Sequence, residues 1–332
     1  MPASTIRQIA KELGIHPSTV SRALSGHPHI ADKTREKVLR MADQLNYSPN
    51  LWAQNLVGSK TNLIGCLVLE LTNPFYIPMV RAIQDTVDQQ DYITFIGESR
   101  RNLEVEKQVI ERLRRIRASG VIITPVLSNL DHLKNLEKEG VPVVAVGRTV
   151  KEFDSVNVDD IKSGMIAGQH FIDRGFETIG YIQSGDQFNF PEKNRLKGLK
   201  KVLSEYRRNL SVVYTVGNNR IEGGEKAGKM WSSEEKRPEA VFCSNDMLAM
   251  GFIQYLVRLG MRIPDDVAVL GHDDVLFTDR FIVPLSTVAF PKYEMGQHAI
   301  NLLLDRISHP EYPHEPQMIS LDPELVLRKS CI

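Results

Sequence analysis

Apolar residues recur every three or four positions between Thr5 and Leu45, and this spacing predicts three short helices rather than strands. The periodic positions are Ile6, Ile9, Ala10, Leu13, Val20, Ala23, Leu24, Val38, Ala42 and Leu45. Thr5 and Gln8 have the spacing of a helix-capping box, Gly14 is placed to end the first helix, and Pro17 suits the first turn of the second. Two helices joined by a turn of about three residues are typical of a helix-turn-helix, whose second helix enters the major groove of DNA.

After Gly58 the pattern changes to short β-branched runs that alternate with helical stretches. Eight runs have this character: LIGCLVLE, ITFIGES, GVIITPV, VPVVAVG, TIGYIQS, SVVYTV, AVFCSND and VAVLGHDD. Runs at helix-separated intervals predict parallel sheets with crossover helices, and the two sets of four predict two similar lobes. The C-terminal ELVLRKSCI is predicted as a final strand.

The composition excludes several classes of protein. A chain of 332 residues with 42% hydrophobic and 25% charged residues is globular, neither disordered nor collagen-like. No stretch approaches the ~20 apolar residues that span a bilayer, and the N-terminus becomes polar too early for a secretory signal. The three widely spaced cysteines, Cys66, Cys243 and Cys331, indicate neither a disulfide framework nor a zinc site. We therefore expect a cytoplasmic protein that uses no metal and no cofactor.

Charge is distributed unevenly along a chain whose net charge is zero. The 41 Lys and Arg balance the 41 Asp and Glu, yet residues 1–60 carry eight basic and four acidic side chains. The N-terminal segment is therefore positive and the remainder equally negative, which places any attraction for a polyanion in the predicted helical unit.

The run TIRQIAKELGIHPSTVSRALSG, followed by TREKV, LNYSPN and AQNL, closely resembles the headpiece of the lactose-repressor and galactose-repressor (LacI/GalR) family of transcription factors. The resemblance covers essentially the whole chain. It implies an α/β fold with a helix-turn-helix headpiece over residues 1–46, a hinge segment over 47–60, and two doubly wound parallel-sheet lobes like a periplasmic sugar-binding protein. The lobes would comprise residues 61–159 with 288–320 and residues 160–287 with 321–332, with crossings near Asp159, Val288 and Ser320.

The resemblance also implies contacts with operator DNA. Arg22 matches the arginine that reads a base, because its guanidinium suits guanine O6 and N7. Pro17 and Ser18 match positions that set operator preference, and Thr19 shares the exposed face of the predicted second helix. The positions that match contacts to the DNA backbone, which orient a domain without reading sequence, are Ser21, His29, Thr34, Tyr47 and Asn50.

Residues 50–58 resemble the hinge helix of the family, in which a leucine, here Leu56, inserts into the minor groove. Ala53 and Gln54 also match this helix, whereas Trp52 departs from the common forms and has no assigned role. A helix of about eight residues is too short for independent stability, so we expect it to fold when two copies meet on DNA.

Effector residues are sought at the carboxyl ends of the strands, where ligands bind in parallel sheets. Candidates there, in the motifs NPFY, NRLKG, SNDMLAMG and GHDD, resemble ligand-binding positions of the family, as does Asp159. We also expect Phe290 to provide a second stacking face for a flat, hydroxyl-rich ligand, and Asp246 to contact the effector or cap its helix. The predicted effector residues are Phe75, Tyr76, Asp159, Arg195, Asn245, Asp273 and Phe290.

The effector itself has two interpretations. Gly147 stands where several relatives carry an aspartate, and Asn219 stands where sugar-binding members often place an aromatic residue. A sugar or sugar derivative is the first expectation, and a purine or phosphorylated metabolite that acts as a corepressor is the alternative.

Enzymes and transport proteins are the competing classes. GGEKAGKM approaches the phosphate-binding loop, but Met230 lacks the required hydroxyl group, and no common catalytic motif is present. A sugar-binding transport protein would have a signal peptide and no headpiece. We therefore expect a homodimeric repressor, not an enzyme and not bound to a membrane, that binds a pseudo-palindromic double-stranded operator in the nucleoid and responds allosterically to a small, sugar-like effector.

Overall fold

A computed structural model of the chain describes residues 5–24, 27–47, 61–126, 130–186, 189–310 and 314–332. The chain divides into two compact units, Met1–Thr61 and Asn62–Ile332. All described residues of the first unit that have regular structure are helical, whereas the second unit contains two β-sheets.

Three helices form the described part of the first unit: α1 (Ile6–Leu13), α2 (Pro17–Leu24) and α3 (Asp32–Gln44). The Thr5 hydroxyl oxygen caps α1 by accepting a hydrogen bond from the Gln8 amide at 3.3 Å. Gly14 ends the same helix with φ of +63°, a conformation that glycine adopts without a steric penalty. The three predicted helices and both predicted ends of α1 are confirmed.

The core of this unit is built from the residues that carry the helical periodicity. Its buried members are Ile9, Ala10, Val20, Ala23, Val38 and Ala42. Four small alanine and valine side chains from α2 and α3 pack against Ile9 and Ala10 of α1, so the helices approach closely around a small core.

The first lobe of the larger unit is a six-stranded parallel sheet with the strand order β11-β5-β4-β3-β1-β2. Its strands are β1 (Leu63–Val68), β2 (Ile93–Glu98), β3 (Gly120–Ile123), β4 (Val143–Val146), β5 (Asp154–Val158) and β11 (Met318–Leu321). Two helices cover one face, α4 (Tyr76–Val87) and α11 (Lys292–Ser308). The other face is covered by α5 (Leu103–Arg115) and α6 (Asp131–Lys138).

The second lobe repeats this plan with the strand order β12-β10-β9-β8-β6-β7. Its strands are β6 (Ile179–Gln183), β7 (Leu210–Thr215), β8 (Ala240–Cys243), β9 (Ala268–Asp273), β10 (Ser286–Ala289) and β12 (Glu324–Val326). One face carries α7 (Asp160–Asp173) and α8 (Phe190–Glu205), and the other carries α9 (Ile221–Ser232) and α10 (Asp246–Arg258). All pairs are parallel except β12 with β10.

The fold class predicted from the sequence, two doubly wound lobes after a helical headpiece, is confirmed, but the strand count was too low. All eight predicted runs contain a strand, and the predicted C-terminal strand begins with β12. The sheets are completed by β5, β10 and β11, which were not predicted. These three strands are only four or five residues long, and β5 and β10 contain buried polar residues such as Asn157 and Thr287. Their apolar pattern is therefore too weak to detect in the sequence.

The chain passes between the lobes at three places. It crosses at Asp159, at residues 290–291 and at residues 322–323. The second crossing comes after Val288, because Val288 still pairs with His272 of β9 in the second lobe.

Glu137 of α6 lies beside an ion pair under the first sheet. Asp154 accepts hydrogen bonds from Arg306 Nε at 2.8 Å and Nη2 at 3.1 Å. Glu137 is only 8% exposed, and its Oε1 has no hydrogen-bond partner among the described residues. Burial raises the pKa of Glu137 to about 7, and the charge of Asp154 adds to this effect.

Replacing Glu137 with Gln should make stability less dependent on pH. In the unfolded chain this carboxyl ionises near its ordinary pKa of 4.5, whereas in the folded chain it stays protonated up to about pH 7. Stability is therefore lost as pH rises between these values. The free energy of unfolding of Glu137→Gln should exceed that of the wild type by about 3 kcal/mol at pH 8 and match it at pH 4. Urea unfolding at both pH values measures this, with exposed Glu139→Gln as the control; equal shifts in the two variants would contradict it.

Candidate functional site

The second helix of the first unit, α2, has a buried apolar face and an exposed polar face. Val20 and Ala23 are buried in the core, while Ser18, Ser21 and Arg22 are exposed. Their spacing of three and four residues places these three side chains on one face of α2. Pro17 begins the helix, and Thr19 is half-buried at the edge of the exposed face. The residues predicted to read bases thus share one accessible surface.

The residues predicted to contact the DNA backbone have varied surroundings. His29 is exposed, Thr34 is half-buried in the first turn of α3, and Tyr47 packs against the core, where burial raises its pKa. Arg35 Nη2 donates to the His27 carbonyl at 3.0 Å and fixes the loop before α3. The DNA contacts assigned to these residues stay predictions, and Asn50, Ala53, Gln54 and Leu56, together with Trp52, lie outside the described residues.

A cleft opens between the two lobes at the carboxyl ends of their strands. In each sheet the strand order reverses, between β1 and β3 in the first and between β6 and β8 in the second, and such positions are the usual ligand sites of open parallel sheets. Six of the seven predicted effector residues line the cleft: Phe75, Tyr76, Arg195, Asn245, Asp273 and Phe290.

Asp159, the seventh residue, does not line the cleft. It caps α7 by accepting a hydrogen bond from the Lys162 amide at 2.9 Å. The next residue, Asp160, lines the cleft instead and accepts a hydrogen bond from Arg195 Nε at 2.8 Å. The sequence motif located the segment correctly, but the start of the helix decides which aspartate points inward.

Arg195 is the most constrained cation of the second-lobe wall. Besides Asp160 it binds the Ser244 carbonyl through Nη1, and it is 9% exposed. Burial lowers its pKa, but the charges of Asp160 and Asp273 outweigh this effect and raise it overall. Gly198, one turn later, lets α8 approach α7, because an added Cβ would overlap the Ile161 carbonyl oxygen. The R-x-x-G motif therefore combines a ligand-facing arginine with close helix packing.

Asn245 and Asp246 follow β8 and have different roles. Asn245 is the N-cap of α10, since its Oδ1 accepts from the Leu248 amide at 2.8 Å, and its Nδ2 donates to the Asn219 carbonyl at 3.1 Å. Asp246 is fully buried and accepts hydrogen bonds from the Val275 amide and the Thr287 hydroxyl. Burial and the charge of Asp273 raise its pKa. Asp246 therefore braces the ends of the strands, and neither predicted role for it, effector contact or helix cap, fits the structure.

Asp273 ends β9 in an unusual backbone conformation, with φ of +113°. Its Oδ1 lies 2.8 Å from His272 Nδ1, and its carbonyl oxygen accepts a hydrogen bond from Lys292 Nζ. Lys292 belongs to α11 of the first lobe, so this bond joins the lobes beside the second crossing. Burial lowers the pKa of both His272 and Lys292, which indicates a tightly packed centre behind the cleft.

Phe75 and Phe290 lie on the same side of the cleft. Their ring centroids are 5.6 Å apart and their planes are inclined by 52°. Phe290 is only 4% exposed and also contacts His272 at a centroid distance of 5.7 Å. Because the two rings pack on one another, they cannot enclose a flat ligand, so the expected second stacking face at Phe290 does not fit this geometry.

Two arginines that line the cleft were not predicted from the sequence. Arg101 follows β2, and Arg148 follows β4 and Gly147. Both lie just beyond the carboxyl ends of first-lobe strands, so the strand-end rule could have identified them, but no motif marked them. Glu192 was also missed; its carboxylate accepts hydrogen bonds from the Ser184 and Ser244 hydroxyls and ties the ends of β6 and β8 together.

Two kinds of feature are absent from the described residues. No group of three or more His, Cys, Asp or Glu side chains there is arranged to hold a metal ion. Among the same residues, no helix combines the length and the apolar character needed to cross a membrane.

Each of the two units of the structure contains a region that matches a known protein family. Residues 5–50 match the model of bacterial regulatory proteins of the lacI family, and residues 169–331 match a periplasmic binding protein-like domain. The HTH-type transcriptional repressor PurR of Photobacterium profundum is 31% identical over 337 residues, which cover 98% of each chain.

Solved structures show the same likeness. The lac repressor dimer bound to operator and the anti-inducer ONPF has a TM-score of 0.84 at 25% identity, over 99% of both chains. The complex of the transcriptional regulator CelR with cellobiose has a TM-score of 0.72 at 26% identity, over 98% of this chain and 99% of that one. The chain belongs to the LacI family of bacterial regulatory proteins, and it is a DNA-binding transcriptional regulator rather than an enzyme.

Replacing Asn245 with Ala should weaken α10, because the Leu248 amide loses its acceptor. The expected loss is about 1 kcal/mol in the free energy of unfolding, and Asn245→Asp should lose less because a carboxylate also caps a helix. Urea unfolding of both variants measures this. Gln254→Ala, an exposed change on the same helix, is the control, and equal losses in Asn245→Ala and Gln254→Ala would refute the capping role.

Proposed function

We propose that this protein is a dimeric repressor that binds a pseudo-palindromic operator in the cytoplasm and is controlled by a small molecule in the cleft. The observation that carries the DNA-binding part is the exposed face of α2, where Ser18, Ser21 and Arg22 lie opposite the buried Val20 and Ala23. An arginine on such a face can donate two hydrogen bonds to one guanine. Two copies of the helix would match the two half-sites of the operator.

The proposed effector is a sugar or sugar derivative. The half-buried ring of Phe75 offers one apolar surface, and the opposite wall offers the guanidinium, amide and carboxylate groups of Arg195, Asn245 and Asp273. A sugar ring has one apolar face and a rim of hydroxyl groups, so it suits a site with aromatic residues on one side and paired polar groups on the other. The CelR neighbour, whose structure holds cellobiose, supports the same class.

A purine is the competing effector, and the ring geometry argues against it. A flat base binds best between two parallel faces, whereas Phe75 and Phe290 are inclined by 52° on one side of the cleft. Among the described second-lobe residues that line the cleft none is aromatic, and Asn219 stands on that wall.

Allosteric control is proposed to act through the angle between the lobes. The lobes are joined by three crossings and by polar contacts such as that of Lys292 with Asp273, so a ligand that binds both walls favours one arrangement. Coupling between effector and operator is reciprocal, and is typically about 1–3 kcal/mol.

Replacing Arg22 with Ala should relax operator specificity. The variant should lose about 1–3 kcal/mol of discrimination at one base pair and keep most of its non-specific affinity. Titration of single-base operator variants at fixed salt measures this. Arg40→Ala in α3 removes the same charge from another exposed arginine and serves as the control. If both variants discriminate between operators as the wild type does, Arg22 does not read a base.

The effector class is tested by operator affinity in the presence of sugars, sugar phosphates and purines, at one salt concentration because phosphate contacts are strongly salt-dependent. A palindromic operator with a central CG step is the probe. We expect a sugar or sugar derivative to weaken binding. Strengthening by a purine would overturn the sugar proposal and support the corepressor alternative.

A further inference from the structure

Among the residues that the structure describes, the first-lobe wall of the cleft carries two arginines and no lining carboxylate. Arg101 and Arg148 follow β2 and β4, while the acids that line the cleft, Asp160, Asp186, Glu192 and Asp273, all belong to the second lobe. The two walls therefore differ in charge. An effector that bridges them would meet positive charge on one side and hydrogen-bond acceptors on the other.

Arg101 is held in the cleft by an unusual turn. Arg100 and Arg101 are consecutive non-glycine residues with φ of +53° and +56°. Such left-handed conformations are strained for residues other than glycine, and they cluster at functional sites. Arg100 points away from the cleft and binds Glu98 Oε1 at 2.8 Å, with 75% of its side chain exposed. The strained turn therefore separates two adjacent arginines into one outer and one inner side chain.

Arg101 retains unused hydrogen-bonding capacity. Its Nε is buried and has no hydrogen-bond partner in the described part of the chain. The nearest acids, Glu70 at 3.8 Å from Nε and Asp186 at 3.8 Å from Nη1, are attracted to it but lie beyond hydrogen-bond distance. Glu70 is also bound by Arg220 from the second lobe. The guanidinium can therefore donate to a ligand without breaking an existing hydrogen bond to these acids.

Arg148 lines the same cleft as Arg101. Burial lowers the pKa of Arg148 and the charge of Arg101 acts in the same direction, whereas the charges of Glu106 and Asp186 oppose them. Its Nη1 donates to the Val126 carbonyl at 3.3 Å, and its guanidinium carbon lies 5.4 Å from the ring centroid of Phe190. Of the two carboxylates that act on Arg148, Glu106 accepts a hydrogen bond from the Val126 amide at 2.8 Å and lies 2.9 Å from His132 Nε2.

We propose that Arg101 and Arg148 form an anion subsite for a phosphate or carboxylate group of the effector, with the Thr124 side chain beside them. The effector is then an acidic sugar derivative, a sugar phosphate or a sugar acid, whose ring lies against Phe75 and whose hydroxyl groups face Arg195 and Asp273. Two guanidinium groups bind such an anion with charge-assisted hydrogen bonds, and the anion relieves their mutual repulsion. This inference rests on the proposed function, because it defines the effector of the same cleft.

Inorganic phosphate is the first probe, titrated calorimetrically into the full chain without DNA. The wild type should bind one phosphate per chain saturably, and Arg101→Met should bind it at least about tenfold more weakly. Arg100→Met, which removes the neighbouring exposed charge, should bind like the wild type. Absence of saturable binding, or equal weakening in both variants, would overturn the proposal.

Two further variants guard against a folding defect at position 101. Arg101→Lys keeps the charge but loses the planar fork, so its phosphate affinity should lie between those of the wild type and Arg101→Met. Arg148→Met should weaken binding as Arg101→Met does, with the thermal unfolding curves of all variants compared. A normal affinity in a folded Arg148→Met variant would exclude the shared site.

Glucose, glucose 6-phosphate and glucuronate then separate the two sources of the anion. Tighter binding of the phosphate identifies a sugar phosphate, and tighter binding of glucuronate identifies a sugar acid. If glucose binds as tightly as both, or if Arg101→Met leaves their order unchanged, the anion subsite is refuted. Operator binding without effector is measured on Arg100→Met and on the wild type and should be the same in both, so failure of the DNA-binding proposal would show separately.

Discussion

The parallel pairing of the strands fixes the position of every other functional feature in the larger unit. In a parallel sheet all carboxyl ends lie at one edge. In each of the two sheets, the crevice formed where the strand order reverses opens at that edge. Residues far apart in the chain, such as Phe75, Arg195 and Asp273, therefore meet in one cleft. The three crossings set these edges opposite each other, so a molecule bound there touches both lobes.

The chemistry of the cleft follows from the different polarity of its walls. On the second lobe, Arg195 is held by Asp160 and the Ser244 carbonyl, which leaves a fixed array of donors and acceptors facing the cleft. On the first lobe, an aromatic surface at Phe75 adjoins the cations Arg101 and Arg148. Contacts that join the lobes, among them those of Lys292 with Asp273 and of Arg220 with Glu70, must change when the angle between the lobes changes.

Prediction from the sequence succeeded for features that depend on residues close together in the chain. Helix ends at Thr5 and Gly14 depend on neighbouring residues, and the small core of the first unit follows from helical periodicity alone. Prediction failed where a shift of one residue decides which side chain enters the cleft. Asp159 caps a helix and Asp160 enters the cleft, a distinction set by where α7 begins. Arg101 was missed because its direction depends on a turn of two left-handed residues.

The sequence by itself determined the family, the helix-turn-helix, the two-lobed α/β architecture and the strand ends at which the effector residues lie, because motifs, periodicity and strand order are properties of the chain. Only the tertiary structure decided which side chains face the cleft, that Phe75 and Phe290 pack on each other rather than around a ligand, and that the two walls differ in charge. Those outcomes depend on distances and angles between segments that are remote in sequence, and packing of the whole unit sets them.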